Sequence, residues 1–173
     1  ATGATPSNSL VQATDTFASE NVRHSVAKLR GANVVPIDGQ FYGAFMHPDV
    51  AHDLRAESGS LGWRVPHEYG MSQDAIFAGE LGQYEGVRFI ETPRVTYGTN
   101  DGVSNVDVYN TYIMGREALA EAVAEEFHVV TDGVVVDALN RHKPIGWYGV
   151  AGWSLFRPEA LWVHGTSSSI GTN

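Results

Sequence analysis

Hydrophobic and polar positions alternate along this chain with two different periods. Val22, Val26 and Leu29 recur at i, i+4 and i+7, which places them on one face of a helix. Thr14-Asp15-Thr16 supplies N-cap residues before them and Gly31 a stop after them, so a helix is expected over 16–30. Phe41–Met46 is a short uncharged run and reads as a buried strand. His47-Pro48-Asp49 then opens a second helix, with Pro48 at its first position, Asp49 complementing its dipole, and Val50 and Leu54 facing inward. Gly59–Gly62 breaks it.

Residues 63–86 show no clean period. Strands are expected over 87–92, 106–114, 127–130, 134–136, 145–156 and 161–164, where Val, Ile, Tyr, Phe and Trp concentrate. Turn chemistry fills 93–105, and Thr131-Asp132-Gly133 forms a further turn. Ala118, Leu119, Ala122 and Val123 fall on one face of a third helix, expected over 116–126. Residues 1–13 read as a strand or ordered arm, and the GTSSSIGTN tail as a loose end or a strand cut short. No internal repeat is visible, and the class is α+β.

Composition narrows the range of functions. At 173 residues and 43% hydrophobic, the chain can bury roughly 70% of its unfolded surface. With no cysteine, it has no disulfide, thiolate metal site or cysteine nucleophile. The formal net charge is −9, and Lys28 and Lys143 are its two lysines. Such a chain is a poor direct ligand for nucleic acid, whose phosphates need Lys and Arg. No apolar run reaches the ~18 residues of a membrane span, so no membrane partner is expected. The sequence starts at Ala1 without a basic, then apolar, leader, and reads as processed, trimmed or cut from something longer.

The motifs that suggest chemistry each fail on spacing. In GELGQYEGVRFIETPRVTYG (residues 79–98), Gly79, Gly82 and Gly86 precede a strand. A phosphate loop instead follows a strand and opens a helix. Gly79 and Gly82 are therefore expected to shape a turn, and Gly86 to launch the strand over 87–92 that Pro93 closes. His47 and His52 lie five residues apart, about 140° around a helix, and share no metal-binding face. Asn100–Asp107 lacks the closing glutamate of a calcium loop. No G-x-S-x-G elbow exists; the nearest context is Gly152-Trp153-Ser154. No catalytic residue, metal ligand or cofactor site is assigned. Trp63, Trp147, Trp153 and Trp162 are core or interface residues, or alternatively a platform for a carbohydrate-binding module built on Trp147, Trp153 and Trp162. Trp147 and Trp153 are an even number of residues apart and share one strand face.

The order of segments carries more than any motif. An aromatic strand ends in His47-Pro48 and steps into a short helix. IFAGELGQYEGVRFIET (76–92) follows, then VDVYNTYIMGREALAEAV (106–123), and KPIGWYGVAGWSLFRPEALWVH (143–164) closes the chain. This arrangement resembles the major capsid proteins of tailed bacteriophages, the Hong Kong ninety-seven capsid fold, over roughly residues 14–165. The resemblance implies a capsid-type axial domain with a central mixed sheet flanked by helices, plus returning peripheral-domain strands. It assigns residues 14–144 to the axial domain at the capsomer centre and 1–13 and 145–173 to peripheral strands. The N-terminal arm, extended loop and spine helix of that family have no counterpart here. The implied function is structural rather than enzymatic: a virion subunit, assembled in the host cytoplasm, that joins other copies of itself in hexamers and pentamers around phage DNA. Scaffolding, portal or decoration proteins are the further partners it implies. Segments 59–72 and 93–105 are expected at capsomer contacts, the latter as an adaptable loop.

Overall fold

The structure is a computed structural model that describes residues 8–57, 80–131 and 145–171. Two helices, α1 (Ser19–Gly31) and α2 (Pro48–Ala56), accompany eight strands: β1 (Tyr42–Met46), β2 (Glu80–Tyr84), β3 (Val87–Glu91), β4 (Tyr97–Gly98), β5 (Val108–Met114), β6 (Leu119–Val130), β7 (Gly146–Leu155) and β8 (Leu161–Thr166). They form two compact units, Leu119–Phe156 and the rest. The class is α+β.

The larger unit is built on a mixed sheet in the order β2-β3-β1-β5-β4, with β8 also on β5. β1 and β3 run parallel, Tyr42 opposite Val87, so the chain between them must cross over, and α2 lies in that crossover. All other pairs are antiparallel. Beneath the sheet lies one core: Val22, Val26 and Leu29 of α1, Val50, Ala51 and Leu54 of α2, and Phe17, Ala44, Met46, Val87, Phe89 and Ile113. Each large apolar side chain buried there contributes about 1.5–3 kcal/mol.

The helix ends are set differently from their sequence signals. α1 has Ala18 at its N-cap, with no side-chain cap of its own. Glu57, just past α2, takes over: one carboxylate oxygen accepts from the Ser19 N–H (2.8 Å) and the other from the Ser19 hydroxyl (2.9 Å). Thr14-Asp15-Thr16 is not the cap, and Asp15 accepts from the Gln12 N–H instead. At the other end the left-handed residue is Asn33 (φ 54°), not Gly31. Val34 N–H reaches Leu29 O and Asn33 N–H reaches Arg30 O, both at 3.0 Å, the paired bonds of a Schellman motif. α2 starts as its sequence indicates, with Pro48 in its first turn and His47 Nδ1 accepting from the Asp49 N–H.

Among the glycines of 79–86, Gly86 (φ 80°) forms with Glu85 (φ 51°) the two-residue turn between β2 and β3, with the positive φ pair of a type I′ hairpin. Gly82 (φ 130°) lies inside β2, where the register with β3 shifts. It marks a strand irregularity and not a turn. Gly79 lies outside the described residues, as do 59–72 and 134–136.

The helix expected over 116–126 is not formed. Residues 115–118 turn, with Glu117 at φ 66°, and Leu119–Val130 is the strand β6. Its Ala, Leu and Glu content favours a helix in isolation, but pairing with β7 satisfies its backbone instead. The C-terminal tail is also held. Ser167 bridges Thr16, the Ser168 hydroxyl donates to Asp49 O, and Ser169 donates from its N–H and hydroxyl to the Asp53 carboxylate. At the other terminus, residues 8–10 form a single 3-10 turn.

Two substitutions check this account by urea denaturation. Glu57→Ala removes both partners of Ser19 and is expected to cost about 1–2 kcal/mol, with Glu57→Gln costing less than half as much. Gly86→Ala places a Cβ at positive φ and is expected to cost about 1–2 kcal/mol.

Candidate functional site

In its described residues the smaller unit is a ribbon of two strands. β6 and β7 pair antiparallel from Leu119 opposite Leu155 to Val130 opposite Gly146. The register shifts twice, between Val123 and Glu125 and between Glu125 and His128, so β6 carries the extra residues and β7 stays regular. Facing residues share a side of the sheet, and this sorts the ribbon into two different faces.

One face is apolar. It holds Trp147, Ala151, Trp153 and Leu155 of β7, with Val129, Val123, Glu121 and Leu119 opposite them on β6. Phe127 joins this side. Its ring lies 6.0 Å from that of Trp147, and it covers Gly149, where any Cβ would meet the ring at 2.4 Å. The glycine is thus the gap that lets Phe127 lie across the ribbon. Glu121 is the one charged residue among them. The other face is mixed: Val130, Ala122, Ala120, Tyr148 and Val150 share it with His128, Glu125 and Ser154, and there His128 pairs with Glu125 at 3.8 Å and meets Tyr148 edge-on at 6.3 Å.

The apolar face is open. Trp147 is 76% exposed, Trp153 68% and Phe127 60%, and Leu119, Val123, Val129 and Leu155 are exposed with them. Scattered apolar residues on a surface are ordinary, but a contiguous aromatic stripe marks a contact surface. A two-stranded ribbon is also marginal by itself in water. This face is the candidate functional site.

The sequence places Trp147 and Trp153 on one strand face, and they lie there. Trp162, grouped with them in the sequence, belongs to the other compact unit. Trp162 lies on β8 in the larger unit, against His24 and His164 at ring distances of 5.5 and 6.3 Å. Trp63 is outside the described residues. Val123 and Leu119 were hidden by the helical reading of 116–126, whereas Phe127 fell in the strand expected over 127–130.

The other candidates are structural. The Asn100–Asp107 loop spends its carboxylate internally, since Asp107 accepts from the Asn100 N–H at 2.9 Å. Among the described residues no group of His, Asp and Glu could hold a metal ion. The 93–105 segment is pinned rather than adaptable. Val103 N–H bonds Val11 O, and Gly102 N–H bonds Val106 O. Tyr97 stacks on Tyr109 at 5.7 Å, and Tyr109 lies 4.9 Å from His47. Burial, then the Asp49 carboxylate beside it, pushes the Tyr109 phenol up to about 12.

Ser25 Oγ and His164 Nε2 are 2.5 Å apart, the reach of a nucleophile and its base. Yet Ser25 is fully buried on α1 and also bonds Asn21 O. Burial, with His24 nearby, holds the His164 imidazole down to about 4. The pair links α1 to the outer strand β8 and orients no group toward a substrate. No helix among the described residues is long and apolar enough to cross a membrane.

No curated protein matches this sequence. Solved structures do. The capsid of cyanophage Pam1 matches with a TM-score of 0.72 at 18% identity, over 95% of this chain and 50% of that one. The capsid of Ralstonia phage GP4 matches with a TM-score of 0.65 at 21% identity, over 99% and 53%. The capsid of Helicobacter pylori bacteriophage KHP30 matches with a TM-score of 0.66 at 16% identity, over 96% and 62%. These likenesses establish the fold, and the chain spans half to three-fifths of the length of those proteins. The family of phage capsid proteins matches residues 1–168, and this chain therefore belongs to the phage capsid protein family.

Proposed function

We propose that this chain is part of a major capsid subunit that joins copies of itself in hexamers and pentamers of an icosahedral shell around phage DNA. The observation that carries the reading is the open apolar face of the β6–β7 ribbon. A subunit of a shell needs no reacting group. It needs rigid units and surfaces that bury when neighbours arrive. The ribbon face is such a surface, to be covered within the assembled particle. The net charge of −9 suits a wall that encloses DNA without holding it at every subunit. The location is the virion, reached by assembly in the host cytoplasm. Other copies are the first partners. Portal, scaffolding or decoration proteins join where the lattice meets them.

Within this reading the larger unit is the axial domain and the ribbon supplies peripheral strands. We draw the ribbon's limits at 118/119 and 156/157 and not at 144/145, a choice supported by the pairing of β6 with β7 along most of their length. The pinned 93–105 loop then offers a capsomer contact of fixed shape. A sugar platform has no support from the residues around the two ribbon tryptophans. A carbohydrate site needs several polar groups beside its aromatic rings, and this face offers Glu121 alone.

Acrylamide quenching of Trp147 and Trp153, each in a background where the other tryptophans are Phe, is expected to fall severalfold between the 173-residue chain and assembled particles. Equal quenching in both removes the ribbon from the contact surfaces. In the full-length subunit, Trp153→Glu is expected to abolish shells in electron micrographs while the far-ultraviolet dichroism of the protein persists. Shells at the unsubstituted yield would overturn the proposal.

A further inference from the structure

The junction of α1 with β8 has an unusual make-up for the place where the chain's last strand is held. His164 projects from β8 into it. Ser25 of α1 contacts its Nε2, and Phe17, from the segment before α1, meets its ring edge-on at 5.8 Å. His24 of α1 stands 6.4 Å away, ring to ring, and Trp162 of β8 lies against both imidazoles. From β5, Thr111 faces His164 in register, and its buried hydroxyl has no hydrogen-bond partner. Among the described residues no carboxylate contributes to this arrangement, and the one ionisable group that acts on His164 is His24, a second imidazole.

The junction therefore tolerates a neutral His164 and offers a charged one neutral hydroxyls but no counter-ion. An imidazolium there would lose water to Phe17 and Trp162 without gaining a counter-ion. His24 adds repulsion and not a counter-ion for that charge. β8 in turn carries the return from the ribbon at its start and leads into the Ser167–Ser169 anchor at its end. Loosening at His164 reaches both.

We propose that the His24–His164 pair is an acid-sensitive latch: protons taken up at the α1–β8 junction release β8 and the tail it anchors. The sign follows from linkage. His164 is depressed to about 4 in the folded chain from an ordinary value of 6.5, so the unfolded chain binds the proton first. Stability from the latch is fully present above pH 6.5. It is lost as pH falls from 6.5 toward 4, and no further loss follows below that. The proposal concerns the larger unit alone and stands whether or not the ribbon is a shell contact.

Urea unfolding of the chain between pH 8 and pH 4 tests it, with His164→Gln as the comparison, since its amide can still donate to Ser25. Between pH 7 and pH 4.5 the unfolding constant of the unsubstituted chain is expected to rise on the order of fifty- to a hundredfold more than that of His164→Gln. Hydrogen exchange in the same window is expected to open β8 and α1 before β1 and β3. Parallel pH profiles for the two proteins would overturn the latch. Should His164→Gln fail to fold, the ring resonances of His164 in the unsubstituted chain decide. A midpoint below 5 upholds the proposal and one near 6.5 refutes it.

Discussion

The antiparallel pairing of β5 with β8 is the constraint on which the rest of this structure depends. Six consecutive pairs run from Tyr109 opposite Thr166 to Met114 opposite Leu161. At the end of this ladder the two chains leave side by side, Gly115 N–H still bonded to Ala160 O at 2.9 Å. Everything between them is an insertion whose ends are already closed. That is why the β6–β7 ribbon can be a separate compact unit without interrupting the sheet. Gly115 is needed at this root. A Cβ there would lie 2.3 Å from Val34 and 3.0 Å from Val35 O, in the segment that follows α1. The same ladder places His164 against α1 and delivers the serine tail to α2.

Where local and tertiary signals agreed, the sequence was legible. α1, β1, α2, β3, β5, β7 and β8 all lie within a few residues of their expected positions. Their apolar spacing, proline placement and β-branched content point the same way as their packing. The failure at 116–126 has a definite cause. Leu119, Glu121 and Val123 alternate as a strand should, but the register shifts that follow break the period of two. What remains is a run of Ala, Leu and Glu whose spacing fits a helix as well as a strand. Long-range pairing with residues some thirty positions away then decides, and no local window contains it. The tail was misread for a similar reason, because its partners, Asp15, Asp49 and Asp53, are distant in sequence.

The candidate site was half visible. The even spacing of Trp147 and Trp153 gave one edge of the apolar face from sequence alone. The other edge, with Phe127 laid over Gly149, needed β6 to be recognised as a strand. Trp162 shows the opposite error. Aromatic residues close in sequence and in composition were grouped, although Arg157–Ala160 takes the chain back to the larger unit before Trp162 is reached.

The ribbon has little to hold it in isolation. Its backbone hydrogen bonds run between two strands only, and its apolar side chains gain little while water covers them. The Trp147–Phe127 contact and the His128–Glu125 pair act within the ribbon, yet both sit in solvent, where an ion pair contributes at most about 1 kcal/mol. The larger unit differs, with α1, α2 and the sheet closing over a common core. Free energy missing from the ribbon must then come from whatever covers Trp147, Phe127 and Trp153. On the proposed reading, the surface that would meet a neighbour and the surface that would complete the ribbon's own fold are the same seven or so side chains. A unit built this way is ordered most fully when it is in contact, which couples binding to folding.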